Sequence, residues 1–433
     1  MEPYFHSVTL DKSACRGCIT CVKRCPTEAI RVRGGKACIL PELCIDCGEC
    51  IRVCPHHAKK AVADHLEAWN RFEYKIALPP PSLYGQFNNL DDIDIVLDGL
   101  RAMGFDMVYE VAGAAELVSD CTRKLMSQEP LPRPVISSAC PAVLRLIRIR
   151  FPQLLDHVLP IHAPVEIAAR LARRQAMRQT GLPPEKIGVI FISPCPAKVT
   201  AVRKPLGSDH SEIDLAVPVS EVYPLLLSAM KKVAENPAEL STSGRMGIGW
   251  GRSGGEAAAT LHERYLAADG IENVIHILEN MEDEKLHDLD FVELNACSSG
   301  CVGGVLNIEN PYVAATRLKR LGHYRPVSCN HIEDRVPKEA KWEQEVEYQP
   351  VMRLDNNPVK AMQKMRKIQE IEKRLYGLDC GSCGAPSCHA LAEDIVLGHA
   401  TEDSCVYLLR EKLETVMETL KQSAQSQKEE EKI

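Results

Sequence analysis

The sequence lacks the long apolar segments and the basic charge that would point to a membrane or to nucleic acid. No run of about 18 uncharged apolar residues occurs, so we expect no bilayer-spanning helix. The net charge is -7 at pH 7, which gives no general attraction to a phosphate backbone. The first residues also lack the basic and apolar regions of a secretory signal. We therefore expect a soluble cytoplasmic protein that binds no nucleic acid.

Cysteine is abundant, with 19 residues, and in a reducing compartment it indicates metal binding rather than disulfides. Two runs share the pattern C-x2-C-x2-C-x3-C-P, in which three thiolates hold one cluster and the fourth reaches the other cluster. The first predicted 4Fe-4S site is Cys15, Cys18, Cys21 and Cys54, and the second is Cys44, Cys47, Cys50 and Cys25. Zinc is the alternative, although it does not need two proline-ended quartets. The segment resembles a bacterial two-cluster ferredoxin.

Another group of four cysteines lies near the end of the chain: Cys380, Cys383, Cys388 and Cys405. Their spacing, C-x2-C-x4-C-x16-C, predicts a further 4Fe-4S cluster, with zinc as the alternative because one quartet is less specific than two. The block resembles the small cluster domain of corrinoid iron-sulfur proteins and of sensory hydrogenases. The helical tail that follows carries an apolar stripe of Leu409, Leu413, Val416 and Leu420.

Between these blocks, apolar strand-like segments alternate with helical patterns, which predicts an α/β domain with largely parallel sheets. The predicted strands lie in residues 72–78, 105–112, 134–139, 187–193, 246–251, 273–278 and 290–296, and a helix is predicted over 165–180. Cys140, Cys195, Cys297 and Cys301 each follow a predicted strand. Loops at the carboxyl ends of parallel strands converge on one crevice, so we expect these four thiols at one metal centre.

Three motifs around these cysteines resemble the signatures of the FeFe-hydrogenase catalytic domain. They are SSACP at 137–141, SPCPAK at 193–198 and ELNACSSGC at 293–301. The resemblance implies that Cys140, Cys195, Cys297 and Cys301 bind the 4Fe-4S part of the H-cluster, with Cys301 bridging to a diiron subcluster. It also implies that Lys198 hydrogen-bonds a ligand of that subcluster, and that Pro81 and Ser82 line the same pocket.

The sequence departs from the family pattern where protons are delivered. Ala139 stands where the family has a proton-shuttling cysteine, and alanine has no titratable atom. Ser119 and Thr122, or Thr122 and Leu125 with a gap, replace two relay glutamates. Further departures around the cluster are Val143, Ser193, Asn295 and Val305. These changes resemble the sensory branch of the family, which lacks the proton-transfer cysteine.

The whole chain is thus predicted to be an α/β multidomain protein with a ferredoxin-like start and a small helical 4Fe-4S domain near its end. The expected segments are 1–65 for the ferredoxin domain, 66–345 for the hydrogenase-like domain, 346–405 for a linker helix with the third cluster block, and 406–433 for the tail. Cys38, Cys121 and Cys329 have no assigned metal and are interpreted as structural.

The leading functional hypothesis is a hydrogen sensor or slow hydrogenase of an anaerobic or facultatively anaerobic microbe. It would act on H2 and protons as an oxidoreductase of low activity. Its four 4Fe-4S clusters would carry electrons to an electron-transfer or signalling partner, such as a kinase or phosphatase. Two alternatives stay open: a hydrogenase-like cluster-assembly factor without the diiron site, and a plain electron carrier.

Overall fold

The computed structural model describes residues 5–351 and 354–430. Residue 1, where the predicted ferredoxin domain begins, and residue 433, where the predicted tail ends, lie outside the described residues. The chain divides into two compact units. The larger unit comprises Met1–Thr9, Ile45–Gly48 and Ala61–Gln349, and the smaller comprises Leu10–Cys44, Glu49–Lys60 and Pro350–Ile433. No helix within the described ranges is long and apolar enough to cross a membrane.

The strands are short, except for one that spans seven residues. Within the described residues they are β1 (Val8–Leu10), β2 (Ile30–Arg33), β3 (Lys36–Ile39), β4 (Lys59–Ala61), β5 (Tyr74–Leu78), β6 (Met107–Val108), β7 (Val135–Ile136), β8 (Ile187–Ser193), β9 (Leu215–Pro218), β10 (Tyr265–Asp269) and β11 (Phe291–Asn295).

The helices range from single turns to the long C-terminal tail helix. In the same part of the chain they are α1 (Thr20–Lys23), α2 (Glu49–Arg52), α3 (Pro81–Tyr84), α4 (Asp94–Met103), α5 (Val111–Gln128), α6 (Pro141–Arg150), α7 (Pro164–Thr180), α8 (Pro196–Arg203), α9 (Val219–Val233), α10 (Arg245–Gly249), α11 (Gly255–Ala259), α12 (Ile271–Glu282), α13 (Pro311–Gly322), α14 (Pro358–Arg374), α15 (Cys388–Val396) and α16 (Val406–Glu430).

Two parallel sheets form the centre of the larger unit, in the orders β6-β5-β8-β9 and β10-β11-β7. Every residue of β8 is buried, which is the pattern of a parallel strand covered on both faces. The carboxyl ends of these strands lead directly into the loops that carry the central cysteines. The predicted α/β architecture with parallel sheets is therefore confirmed.

Two predicted strands are wrong, and two observed strands of the central parallel sheets were not predicted. Residues 273–278 lie in α12, whose buried Ile271, Val274, Leu278 and Met281 recur at helical spacing. Residues 246–251 lie mostly in α10. The strands β9 and β10 lie outside every predicted strand segment. Short apolar segments do not distinguish a strand from a buried helix turn, which explains both kinds of error.

The smaller unit contains a two-stranded hairpin, β2 with β3, and a helical subdomain. The helix α14 begins at Pro358, where the Asn357 side chain accepts hydrogen bonds from the amides of Val359 and Lys360. An apolar cluster joins α14 to α15 through Ile368, Ile371 and Leu391. Cys405 belongs to this small core, and Cys383 and Cys388 pack against it.

Candidate functional site

The four central cysteines lie just beyond the carboxyl ends of parallel strands, where loops were expected to converge on one crevice. Cys140 follows β7 and precedes α6, and Cys195 follows β8 and precedes α8. Cys297 follows β11, and Cys301 lies in the short turn Gly300–Gly303. Proline at the first position of α6 and of α8 fixes where each helix starts, directly after its cysteine.

Lys198 places a positive charge next to the four central cysteines. Burial opposes its charge, but the nearby thiol groups of Cys301, Cys195, Cys140 and Cys297 raise its pKa well above the usual value. The Nζ atom donates a hydrogen bond to Cys301 Sγ at 3.6 Å. A fixed cation beside four sulfurs stabilises thiolates, which are the metal-binding form of cysteine. The structure therefore brings the predicted ligands and Lys198 to one place.

Lys198 and Cys301 border a cavity with an empty space of about 610 Å³, its open mouth included. The predicted residues Pro81, Ser82, Ala139, Lys198 and Cys301 all line it. The Ser82 side chain is fully buried, and its hydroxyl oxygen has no hydrogen-bond partner in the described structure. An unpaired buried hydroxyl in a cavity fits a bound group with polar ligands.

The residues at the expected proton-relay positions perform other tasks. The hydroxyl groups of Ser119 and Thr122 donate to carbonyls of their own helix at 2.8 Å and 2.9 Å. Trp250 Nε1 donates to Ser119 Oγ at 2.9 Å. Val143 is fully buried in the core, and Asn295 Nδ2 donates to Glu293 Oε1 at 2.7 Å.

Two buried carboxyl groups, Glu256 and Glu293, also line the cavity. Burial, and then the charge of Glu293, raises the pKa of Glu256 to about 8, although a 2.6 Å hydrogen bond from Ser137 Oγ opposes this. Burial also raises the pKa of Glu293. Glu293 accepts bonds from the amides of Gly254 and Ala257 at 3.0 Å and 2.8 Å, so it is the better site for the negative charge.

Sequence reasoning overlooked the role of these carboxyl groups. Glu293 opens the third signature, ELNACSSGC, whereas Glu256 lies at the start of α11. The signal that could have found Glu293 is a charged residue at an inward position of a buried strand, here β11. That signal indicates burial but not which other carboxyl group lies nearby.

In the smaller unit, the predicted first quartet is brought together. Burial raises the pKa of Cys21, and the charges of Cys18, Cys54 and Cys15 add to the effect. The amide of Ala37 lies 3.5 Å from Cys15 Sγ, and that of Ala58 lies 3.3 Å from Cys54 Sγ. Amides that donate to sulfur stabilise the negative charge of a cluster.

The second quartet repeats the first in its local contacts. The amide of Ala29 donates to Cys25 Sγ at 3.2 Å, as that of Ala58 does to Cys54. Burial raises the pKa of Cys50 to about 12, with Cys25 among its charged neighbours. Cys44 lies in the smaller unit, whereas Cys47 lies in the segment Ile45–Gly48 of the larger unit.

Three of the four C-terminal cysteines share one small apolar core. Cys405 is buried there, and Cys383 and Cys388 pack against the same cluster. Burial raises the pKa of Cys383, and the charges of Cys380 and Cys405 act in the same direction. The Cys388 amide donates to Asp379 Oδ1 at 2.6 Å, which fixes the start of α15.

The three cysteines without an assigned cluster differ in burial. Cys121 is buried on α5, where burial raises the pKa of its thiol to about 11. Cys38 is partly buried on β3, and Cys329 is exposed. A buried thiol with a raised pKa is unreactive, which agrees with a structural role for Cys121.

Comparison with protein families gives three matches along the chain. The family described as the iron only hydrogenase large subunit, C-terminal domain, matches residues 75–267 and 256–305, more than half of the sequence. A 4Fe-4S dicluster domain matches residues 7–55. An Fe-S cluster family matches residues 375–407. The three matches correspond to the three cysteine-bearing regions.

Curated relatives include hydrogenases and assembly factors. The NADP-reducing hydrogenase subunit HndD of Solidesulfovibrio fructosivorans is 23% identical over 333 residues, which is 66% of this chain and 55% of the relative. The periplasmic [Fe] hydrogenase large subunit of Nitratidesulfovibrio vulgaris is 25% identical over 54% of this chain and 60% of the relative. The cytosolic Fe-S cluster assembly factor NAR1 homolog of Schizosaccharomyces japonicus is 28% identical over 29% of this chain and 24% of the relative.

The chain thus spans 55% to 60% of the length of the two hydrogenase relatives. Among solved structures, a variant of the [FeFe]-hydrogenase HydA1 from Chlamydomonas reinhardtii matches 58% of this chain and 84% of that chain. The TM-score is 0.45 and the sequence identity is 17%.

Proposed function

Because this chain belongs to the iron-only hydrogenase large-subunit family, we propose that it binds H2 at an iron centre and works as a hydrogen sensor or slow hydrogenase. The observation that carries the proposal is the cavity in which Lys198, Cys301 and the unpaired hydroxyl of Ser82 meet. A protein that bound only a 4Fe-4S cluster here would need the four thiols but not the cavity beside Cys301 and Lys198.

The residues present fit the expected group. Cys140, Cys195, Cys297 and Cys301 would hold the central cubane, and Cys301 would also help to hold a diiron unit. The diiron unit, when bound, would supply the chemistry that converts H2 into two protons and two electrons, which the 4Fe-4S clusters accept. Lys198 would orient a ligand by hydrogen bonding, while Pro81 and Ser82 line the same cavity.

Glu256 is the residue we assign to hold the proton in this cavity. Its raised pKa lies near neutral pH, where a general acid or base is most effective. Glu293 keeps the negative charge that opposes a second ionisation at the same place. Ser137 Oγ bonds to Glu256 and fixes the orientation of its carboxyl group. This pair would partly replace the shuttle that is missing at Ala139.

Infrared spectroscopy tests the proposal directly. Protein matured anaerobically in a host that carries the diiron maturation enzymes is expected to show CO and CN stretching bands. Lys198→Met should shift the CN bands, because it removes the hydrogen-bond donor to that ligand. Lys204→Met, on the residue that follows α8, is the matched control and should leave the bands unchanged. A matured protein with a full set of cubanes but without these bands would contradict the proposal.

A second function, a cluster-assembly factor without a diiron site, is supported by specific departures. Val143 and Asn295 replace family residues near the cluster, and Val305 interrupts the glycine run. The similarity to the NAR1 homolog points the same way. The two functions differ in the infrared result, since only the first requires the diiron unit.

The proposed sensor would pass its electrons or signal to a partner protein, such as a kinase or phosphatase. Both would lie in the cytoplasm of an anaerobic or facultatively anaerobic microbe. The tail helix α16 supports such a role because Leu409, Leu413, Val416 and Leu420 are 40% to 63% exposed. An apolar stripe that is left exposed on a helix is suited to binding another helix.

A further inference from the structure

The loop that carries the first three C-terminal cysteines packs on the ferredoxin-like part of the smaller unit. The amide of Val32 in β2 donates to the carbonyl oxygen of Gly384 at 2.8 Å. Gly384 has a φ of +86°, and a Cβ atom there would lie 2.2 Å from the carbonyl oxygen of Val32. The residue next to Cys383 must therefore be glycine for this contact to form.

A buried ion pair holds the same two segments together. Arg31 Nε donates to Asp394 Oδ2 at 2.9 Å, and both side chains are almost fully buried. Arg33 reaches the same carboxylate oxygen at 3.0 Å. A buried carboxylate needs its cationic partner, so the helical subdomain has one favoured position on β2.

Lys23 is placed between the two sets of cluster ligands. It ends α1, two residues after Cys21, and its Nζ atom donates to the carbonyl oxygens of Asp379 and Pro386. These two acceptors flank the loop that contains Cys380 and Cys383. The Lys23 side chain also lies against Gly381, whose added Cβ would be 3.2 Å from Lys23 Cδ. The ammonium group is thus fixed beside the C-terminal ligands by the ferredoxin-like helix.

We infer that the C-terminal cluster site is completed by the ferredoxin-like fold, with Lys23 as a positioning residue whose charge stabilises the reduced form of that cluster. One-electron reduction of a cubane adds one negative charge, and a fixed cation nearby favours that state. The inference rests only on the cubane sites of the proposed function. Failure of the diiron site would leave it unaffected.

The test is a redox titration followed by electron paramagnetic resonance on the full chain, reconstituted anaerobically with iron and sulfide and without diiron maturation. The C-terminal signal is assigned by its loss in Cys380→Ala. Lys23→Gln is expected to lower the equilibrium constant for its reduction about tenfold, which is about 59 mV for one electron. Lys23→Arg should keep the parent potential. Lys60→Gln, which removes the same charge from an exposed pair with Asp11, should leave it unchanged.

Hydrogen exchange at the Val32 amide distinguishes an effect of the Lys23 charge from a loss of the contact between β2 and the loop at Gly384. Protection of this amide should persist in Lys23→Gln and be lost in Gly384→Ala, since alanine cannot fit at 2.2 Å. An unchanged potential in Lys23→Gln would overturn the inference. So would an equal shift in Lys60→Gln, because only the net charge would then matter. Loss of Val32 protection in Lys23→Gln would also overturn it, as the lysine would then act through docking alone.

Discussion

At the scale of single residues, the ionisation of Glu256 makes a prediction that infrared spectroscopy can check. The pKa raised to about 8 means that the carboxyl group stays protonated below that pH and loses its proton above it. The C=O band of a protonated carboxyl should therefore disappear as the pH rises through about 8, and it should be absent in Glu256→Gln. Ser137→Ala removes a bond that favours the charged form, so the band should persist to higher pH.

The raised pKa of Glu256 also makes the free energy of unfolding depend on pH, in a direction that can be stated. The folded protein binds a proton at Glu256 that the unfolded chain releases near its usual pKa of 4.5. The free energy of unfolding should therefore fall as the pH rises from about 4.5 to about 8. An opposite slope in this range, removed by Glu256→Gln, would contradict the assignment.

A second residue-scale prediction concerns Ala139, which lines the cavity beside Lys198. In protein that contains the diiron unit, Ala139→Cys should raise H2 turnover, because a positioned acid or base typically contributes about a hundredfold or more. Ala139→Ser is the matched control, since a hydroxyl is similar in size but does not titrate near neutral pH. Equal rates for the parent and for Ala139→Cys would mean that proton transfer at this position does not limit turnover.

The third residue-scale prediction concerns the buried ion pair of Arg31 with Asp394. Asp394→Asn leaves a buried guanidinium without its counter-charge, and such losses cost about 3–5 kcal/mol. The free energy of opening measured by hydrogen exchange at Val32 should fall by that amount. Asp355→Asn breaks a partly exposed pair with Lys364 and should change it by less than about 1 kcal/mol. If Asp394→Asn and Asp355→Asn lowered the free energy of opening by similar amounts, burial would not explain the strength of the Arg31–Asp394 pair.

At the scale of elements, the tail helix α16 has two separable parts. Leu408 packs against the core of the C-terminal block, whereas the stripe from Leu409 to Leu420 is exposed. A chain that ends at residue 408 should keep the C-terminal cluster and its H2-dependent reduction but lose the response of a partner kinase or phosphatase. A chain that ends at residue 424 keeps the stripe and should behave like the parent. Normal regulation by the shorter chain would place the signalling surface elsewhere.

For the whole molecule, the cysteine groups predict the iron content. Four cubanes require about 16 iron atoms, and a diiron unit brings the total to about 18. Elemental analysis of reconstituted and of matured protein should give these two values. Replacing the C-terminal ligands Cys380 and Cys383 with alanine should remove about four irons. A content of about eight irons in the reconstituted parent would remove the central and C-terminal assignments together.

Much of the fold was readable from the sequence where patterns are long or repeated. The helix over 165–180 matches α7, and the apolar segment 187–193 matches β8 residue for residue. The short segment 273–278 was misread because six residues do not reveal whether the period is that of a strand or of a helix. Only packing against the neighbouring sheet selects the helix α12.

The sequence by itself predicted the cysteine runs whose members lie within one loop, because ligands separated by two or three residues share a local turn, and local spacing is written in the chain. Only the tertiary structure decided that Glu256 and Glu293 share a cavity and that Arg31 meets Asp394, 363 residues away. These relations depend on burial and on charges brought close by folding. Burial and electrostatic proximity arise from the packed arrangement of distant segments, which no local spacing encodes.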